Sequence, residues 1–285
     1  MQIKNYLYNI LNIFSNANYD LTVFPTKKTK DAETYILNRI QDFDYVICSG
    51  GDGTLNEVIN GMMKSKVEKL PKLGYIPAGT TNDFATSLKL PTNMEKAAEL
   101  AIAGSATLCD IGKFNTTYFE YIAAFGAFSE VSYATPQDIK NTLGHLAYVL
   151  EGVKSIPNIK SYNLKIKVED ITIEGKFIYG MITNTYSVGG IYKFNRKEVE
   201  LDDGKFEVTL VKEPKDIFEF SEIGRFFLGN DKNTNTVISF KTKELTIETE
   251  DDIHWTLDGE YGGNPKNISI SIINKAVNIV SKIND

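Results

Sequence analysis

Gly50-Gly51-Asp52-Gly53-Thr54-Leu55-Asn56-Glu57 is the stretch that decides the fold. It follows a short apolar run, residues 44–49, and opens a pattern that places Leu55, Val58, Ile59, Met62 and Met63 on one helical face up to residue 64. A buried strand that turns on glycines into a helix is one half of a βαβ unit. Three glycines let the backbone turn tightly and bring N–H groups to an anion without Cβ interference. The helix N-terminus that follows favours phosphate through its dipole. Thr54 and Glu57 have capping-box spacing, which would fix the helix start there. Two familiar phosphate motifs do not fit. A Walker loop needs Lys after its last glycine, where Thr54 stands, and a dinucleotide fingerprint needs a glycine at Asn56. A bare G-x-G is most simply a structural turn; the strand before it, the helix after it and the acid within it favour phosphate.

A second loop repeats the design. Tyr75-Ile76-Pro77-Ala78-Gly79-Thr80-Thr81-Asn82-Asp83-Phe84 runs from a strand over 73–77 through a glycine turn into a short helix near 83–88. A further helix is expected over 94–103, stopped by Gly104. Glycine loops on successive βα units lie at the carboxyl edge of a parallel sheet, where open α/β sheets bind ligands. Beyond Asp110 the period changes to two, over 163–168, 172–183, 198–211, 237–249 and 268–273, with Asp203-Gly204 as a tight-turn signal inside the third stretch. Helical patterns interrupt this half at 143–154 and 217–228. The expected architecture is an α/β nucleotide-binding domain with a parallel sheet over 1–109 and an antiparallel β-sandwich-like domain over 110–273. The segment from about 274 to 285 returns to the first domain, and the site lies in the cleft between the two.

Composition sets outer limits. Hydrophobic residues make up 42% and charged ones 24%, as in folded globular chains. A net charge of −6 argues against a broad nucleic-acid surface. Cys48 and Cys109 sit in separate apolar segments and read as reduced core residues rather than a disulfide or metal pair. No apolar run approaches the roughly 20 residues of a membrane span, and the first residues lack a signal-peptide pattern. The expected location is the cytoplasm, with room for contact at a membrane surface. His145 and His254 have no ligand-spaced partners and read as packing or surface residues.

Together, the stretches GGDGTLNEVING (50–61) and LGYIPAGTTNDFA (73–85) resemble the nucleotide-binding core of the bacterial diacylglycerol kinase family, relatives of sphingosine and ceramide kinases. GGDGT is shared with NAD kinases and phosphofructokinases; the second loop selects the lipid kinases. Further matches are Val23-Phe24-Pro25-Thr26, Cys109-Asp110-Ile111-Gly112-Lys113, Val131-Ser132-Tyr133, Leu201-Asp202-Asp203-Gly204 and Leu257-Asp258-Gly259-Glu260-Tyr261. The resemblance implies an ATP- and Mg²⁺-dependent enzyme of phospholipid metabolism that transfers the γ-phosphate to a lipid hydroxyl, diacylglycerol first, giving phosphatidic acid. It implies ATP contacts from Thr26, Gly50, Gly51, Asp52, Gly53, Thr54, Leu55, Asn56 and Thr80. It makes Glu260 the general base and Asp52 the organiser of catalytic Mg²⁺ through water, with Asp83 and Asp110 in the same network. A structural Mg²⁺ is implied at Asp203, with the backbone carbonyls of Glu200 and Lys205. It also implies peripheral contact with the inner face of a membrane, with no nucleic acid, and leaves a homodimer open.

Two alternatives stand beside this: a soluble-metabolite kinase of the NAD-kinase type, and a non-catalytic nucleotide- or lipid-binding protein. The second gains from one departure. Relatives begin with a strand that ends in an N-P-x-S-G loop, and no such motif occurs in the 285 residues. Met1 already reads as part of the helix after that loop, with Ile3, Leu7, Ile10, Leu11 and Phe14 at helical spacing. Weak ATP binding and an uncovered sheet edge are therefore expected.

Overall fold

The computed structural model describes residues 3–80, 82–126, 159–185, 187–188, 192–193, 200–227 and 234–283. The expected helix over 143–154 with His145, the motif residues 131–133, Thr81, and residues 198–199 and 228 lie outside the described residues.

In the first half, β1 (Tyr45–Gly50) and β2 (Lys72–Pro77) pair in parallel, with Gly50 opposite Pro77, so both glycine loops leave the same edge. Helices cover both faces, as a parallel sheet requires. Val46, Cys48, Leu73 and Tyr75 pack under α3 (Asp52–Lys64), together with Ala32 and Ile36 of α2 (Asp31–Arg39). On the other face Ile47 and Ile76 meet Ile10 and Phe14 of α1 (Leu7–Asn16) and Met94, Ala97, Ala98 and Ala101 of α5 (Met94–Ala103). The short α4 (Asp83–Ser87) lies between β2 and α5 in the chain. Among the described residues, β1 has a strand partner on one side only. Residues 17–26, which lead away from α1, contain no strand, and Leu21, Val23 and Phe24 are exposed.

The second half is antiparallel. β3 (Gly104–Phe114) leads through β4 (Thr117–Phe119) to β5 (Ile122–Gly126). β6 (Tyr162–Val168) and β7 (Ile171–Thr183) form a hairpin in which Tyr162, Leu164, Ile166 and Val168 point inward. Ser187–Val188 (β8) and Tyr192–Lys193 (β9) make a separate two-residue ribbon. β10 (Phe206–Lys212) pairs with β7 and with β11 (Val237–Thr242), while β12 (Glu244–Glu248) joins β6. β13 (Trp255–Leu257) and β14 (Glu260–Gly263) complete the sheet beside β5. The core centres on Trp255, whose ring lies 5.0 Å from Phe114 and 4.8 Å from Phe125. β15 (Asn267–Ile283) ties the halves together: it pairs with β12 and along β3, and meets β2 in parallel where Ile279 faces Leu73. The whole is a mixed sheet, an N-terminal α/β part followed by a β-rich part, as expected.

Several local expectations change. The stretch 237–249 is two strands that part at Lys243 and go to different partners. Residues 201–204 form turns and β10 starts only at Phe206, so Asp203-Gly204 is not the bend of an adjacent-strand hairpin. The strand expected over 268–273 runs for 17 residues because it has partners in both halves. The capping box also fails. The helix starts at Asp52 with Gly51 as N-cap, which places Thr54 inside the first turn, its N–H bonded to the Gly51 carbonyl. Glu57 instead accepts the N–H groups of Lys30 (2.7 Å) and Ala32 (3.1 Å) and so anchors the start of α2. His254 is exposed, immediately before β13.

Candidate active site

The two glycine loops touch backbone to backbone. A Cβ on Gly79 would stand 2.6 Å from the Gly51 Cα, and one on Gly51 would stand 3.2 Å from the Gly79 Cα. The Gly50 carbonyl accepts Ala78 N–H at 2.8 Å and the Tyr75 hydroxyl at 3.2 Å. Asn82, in the left-handed region at φ 51°, closes the second loop: its Oδ1 accepts Gly79 N–H and its Nδ2 donates to the Gly79 carbonyl. The N–H groups of Thr54 and Leu55 are used inside the helix, bonded to Gly51. Those of Asp52 and Gly53 belong to the first turn, where a helix leaves donors for an outside acceptor.

Asp52 is half-buried at this junction. Its Oδ2 accepts the Asp83 N–H at 3.3 Å, while its Oδ1 is buried with no partner. Burial, and then the charge of Asp83, push its carboxyl up to about 6. Asp83 is itself buried at the start of α4. Two hard carboxylates, one with an orphaned oxygen, suit Mg²⁺, which is usually bound by one or two carboxylates together with water and substrate phosphate. Among the described residues no three acidic, His or Cys side chains form a ready-made cage.

Glu260 arrives from the other half. β13 and β14 are joined by Asp258-Gly259 at φ 51° and 85°, the left-handed pair a two-residue hairpin turn needs. The turn holds the exposed Glu260 over the first loop, with its Oε1 3.0 Å from where a Cβ on Gly53 would be. Beneath it Asp258 is buried, and its carboxylate accepts the N–H groups of Glu120 (2.7 Å), Tyr121 (3.0 Å) and Ile122 (3.0 Å) and the Asn56 amide (2.9 Å).

Other expected site residues lie elsewhere. Leu55 is a core side chain, and the Asn56 amide points into the interface between the halves. Thr26 and Thr80 are exposed on their loops. The Asp110 carboxylate is taken up by Gly204 N–H, Lys275 N–H and the Asn274 amide, so Asp110 braces the Asp203 turn and is not grouped with Asp52. Burial raises its carboxyl. At that turn Asp203 accepts Lys205 N–H at 2.9 Å and faces the Lys241 ammonium at 3.3 Å; Glu200 is exposed. Lys241 also reaches Glu207 at 3.0 Å. Two carboxylates that already share the Lys241 ammonium are a poor fit for a structural Mg²⁺.

One buried acid escaped the sequence argument. Glu120 is 1% exposed, accepts the Asn56 amide at 3.1 Å through Oε2, and leaves Oε1 without a partner. The only signal was an acid inside the apolar run 118–125.

Residues 1–114 match the diacylglycerol kinase catalytic domain family, and residues 123–281 match the YegS C-terminal NAD kinase beta sandwich-like domain. A diacylglycerol kinase of Bacillus subtilis (strain 168) is 35% identical over 264 residues, covering 91% of this chain and 86% of that protein. One from Staphylococcus saprophyticus is 34% identical over 262 residues, covering 91% and 85%. A crystal structure of a diacylglycerol kinase from Bacillus anthracis str. Sterne superposes with a TM-score of 0.73 at 25% identity, covering 97% of this chain and 92% of that one. With both halves matched and relatives aligned across most of its length, the chain belongs to the diacylglycerol kinase family.

Proposed function

We propose that the protein is an ATP-dependent lipid kinase that transfers the γ-phosphate to the free hydroxyl of diacylglycerol, giving phosphatidic acid at a membrane surface. The observation that carries this is the placement of the Glu260 carboxylate over the Gly53 turn, beside the half-buried Asp52 with its orphaned Oδ1. Phosphoryl transfer asks a protein mainly for positioning, charge neutralisation and a group to take the hydroxyl proton. The N–H groups of Asp52 and Gly53 cradle phosphate oxygens, and Thr26 and Thr80 flank the nucleotide from their exposed loops. Asp52 and Asp83 hold Mg²⁺, which when bound supplies positive charge to the transferring phosphoryl group. Glu260 accepts the proton of the acceptor hydroxyl at its carboxylate. The family names of the relatives support a lipid acceptor and do not favour a soluble-metabolite kinase or a non-catalytic binding protein. Among the described residues no helix is long and apolar enough to cross a membrane.

The test is radiolabel transfer from γ-labelled ATP to a panel of diacylglycerol, sphingosine, phosphatidylglycerol and NAD in mixed micelles. Labelled phosphatidic acid should dominate, and Glu260→Gln should lower kcat by about 10²-fold or more with little change in KM for ATP. Label in NAD alone, or a Glu260→Gln variant that loses only ATP affinity, would overturn the assignment.

A further inference from the structure

Two acidic side chains lie side by side in the interface between the halves, enclosed and bridged by one amide. Asn56 Nδ2 is 2.9 Å from Asp258 Oδ2 and 3.1 Å from Glu120 Oε2. Both acids are at most 3% exposed. Among the described residues, the groups that interact with Glu120 include Asp258, Asn56, Cys48, Tyr75 and Tyr121, and none of these five is basic. Two full negative charges in such a place would be very costly. Burial, and then the charge of Asp258, hold the Glu120 carboxyl well above the usual carboxylate range. Asp258 already accepts four donors, three of them backbone N–H groups, so its oxygens are taken up. Glu120, whose side chain hydrogen-bonds that of Asp258, is the member of the pair that keeps its proton and acts as the donor.

The position of this cluster gives it a consequence. Asp258 is the first residue of the turn whose exit is Glu260. Asn56 is one turn along α3 from Asp52, and Asn60 on the next turn bonds both the N–H and the carbonyl of Tyr118. The phosphate loop, the β4–β5 connection and the Glu260 turn therefore meet at one set of hydrogen bonds. Resting on the kinase assignment above, we propose that Glu120 is a positioning residue: with Asn56 and Asp258 it forms a buried clasp that fixes Glu260 against the Gly53 turn. It touches neither nucleotide nor acceptor. Its neutral donor holds Asp258, and Asp258 holds the turn.

The test uses the full chain with Glu120→Leu, which keeps the volume and removes the donor, and Glu120→Gln, which keeps a neutral donor. If the Leu variant fails to fold, Glu120→Met takes its place. Transfer to diacylglycerol is measured well below each variant's Tm, together with hydrogen exchange of the segment 253–263. Expected for Leu is a fall in kcat of about 10²-fold, the scale of a roughly 1 Å misplacement of a catalytic group. KM for ATP should stay within about twofold, since a kcat loss at constant KM marks an interaction made in the transition state. Exchange at 258–261 should quicken. The Gln variant should recover most of kcat and restore slow exchange, which a role in stability alone does not demand. Equal kcat in the wild type and the Leu variant, equal damage in Leu and Gln, or exchange unchanged in both would overturn the clasp. A wild type that phosphorylates no lipid would overturn the kinase assignment instead, and exchange would still judge the clasp.

Discussion

Asp52 shows most directly how this fold sets stability against chemistry. Its carboxyl sits at about 6 against an ordinary 3.8 because burial and the nearby charges of Asp83 and Asp258 oppose ionisation. The folded chain then holds this proton more tightly than the unfolded chain does. The group costs stability as pH rises from 3.8 through about 6, and the full cost remains above that. Asp52→Asn keeps an acceptor for Asp83 N–H and removes the charge. In Mg²⁺-free buffer it should raise the Tm at pH 8 and leave it nearly unchanged below pH 3.8, while transfer falls by about 10³-fold with the loss of the cation site. Calorimetry at the two pH values, beside the lipid assay, checks both halves. A variant that is less stable at pH 8, or that keeps its activity, would remove Asp52 from this role.

The two glycine loops act as one element because their backbones are in contact, and the distances rank two substitutions. Gly79→Ala would place its methyl 2.6 Å from the Gly51 Cα and 2.8 Å from Asn82 Oδ1, whereas Gly51→Ala meets the Gly79 Cα at 3.2 Å. Overpacking of this kind costs about 1–3 kcal/mol, so Gly79→Ala should be the less stable of the two by chemical denaturation and should raise KM for ATP more. The reverse order would mean that the loops are held apart by something else. The Asp203 turn is a second element with a definite expectation. Lys241 is shared between Asp203 and the half-buried Glu207, whose carboxyl burial pushes up to about 7. EDTA should therefore leave the Tm unchanged, and Lys241→Met should lower stability by about 1–3 kcal/mol by leaving buried acceptors unsatisfied. A clear Mg²⁺-dependent Tm in the unsubstituted protein would restore the structural-ion expectation.

Across the whole molecule, what could be read from the sequence was what short-range pattern controls. The alternation Tyr162, Leu164, Ile166, Val168 marks β6, the periodic apolar face from Leu55 marks α3, and the two glycine loops mark the sheet edge that carries the site. What could not be read depends on partners far away in the chain. Glu57 fits a cap at its own helix until Lys30 and Ala32 compete for it; Asp110 fits a metal network until Gly204, Asn274 and Lys275 take its oxygens; Glu120 has meaning only beside Asp258 and Asn56. β15 is the extreme case, since its length follows from partners in both halves: β12 at its start, β2 near its end and β3 along most of it. Buried Ile279 sits where that strand pairs with Thr107 on one side and Leu73 on the other. With one continuous ladder shared between the halves, neither half can lose it without exposing the edge of the other. Thermal unfolding should accordingly be a single transition, coincident by two probes: fluorescence of Trp255, the only tryptophan, buried in the β-rich core, and ellipticity at 222 nm, to which α1–α5 of the first half contribute. Ile279→Pro removes the ladder N–H at the shared position. It should split the two probes, with ellipticity lost at the lower temperature because the small parallel sheet loses its inner neighbour while the core around Trp255 remains. Separate transitions in the unsubstituted protein would show that the halves are not coupled, and coincident ones in Ile279→Pro would show that the buried interface around Asp258 couples them rather than the strand.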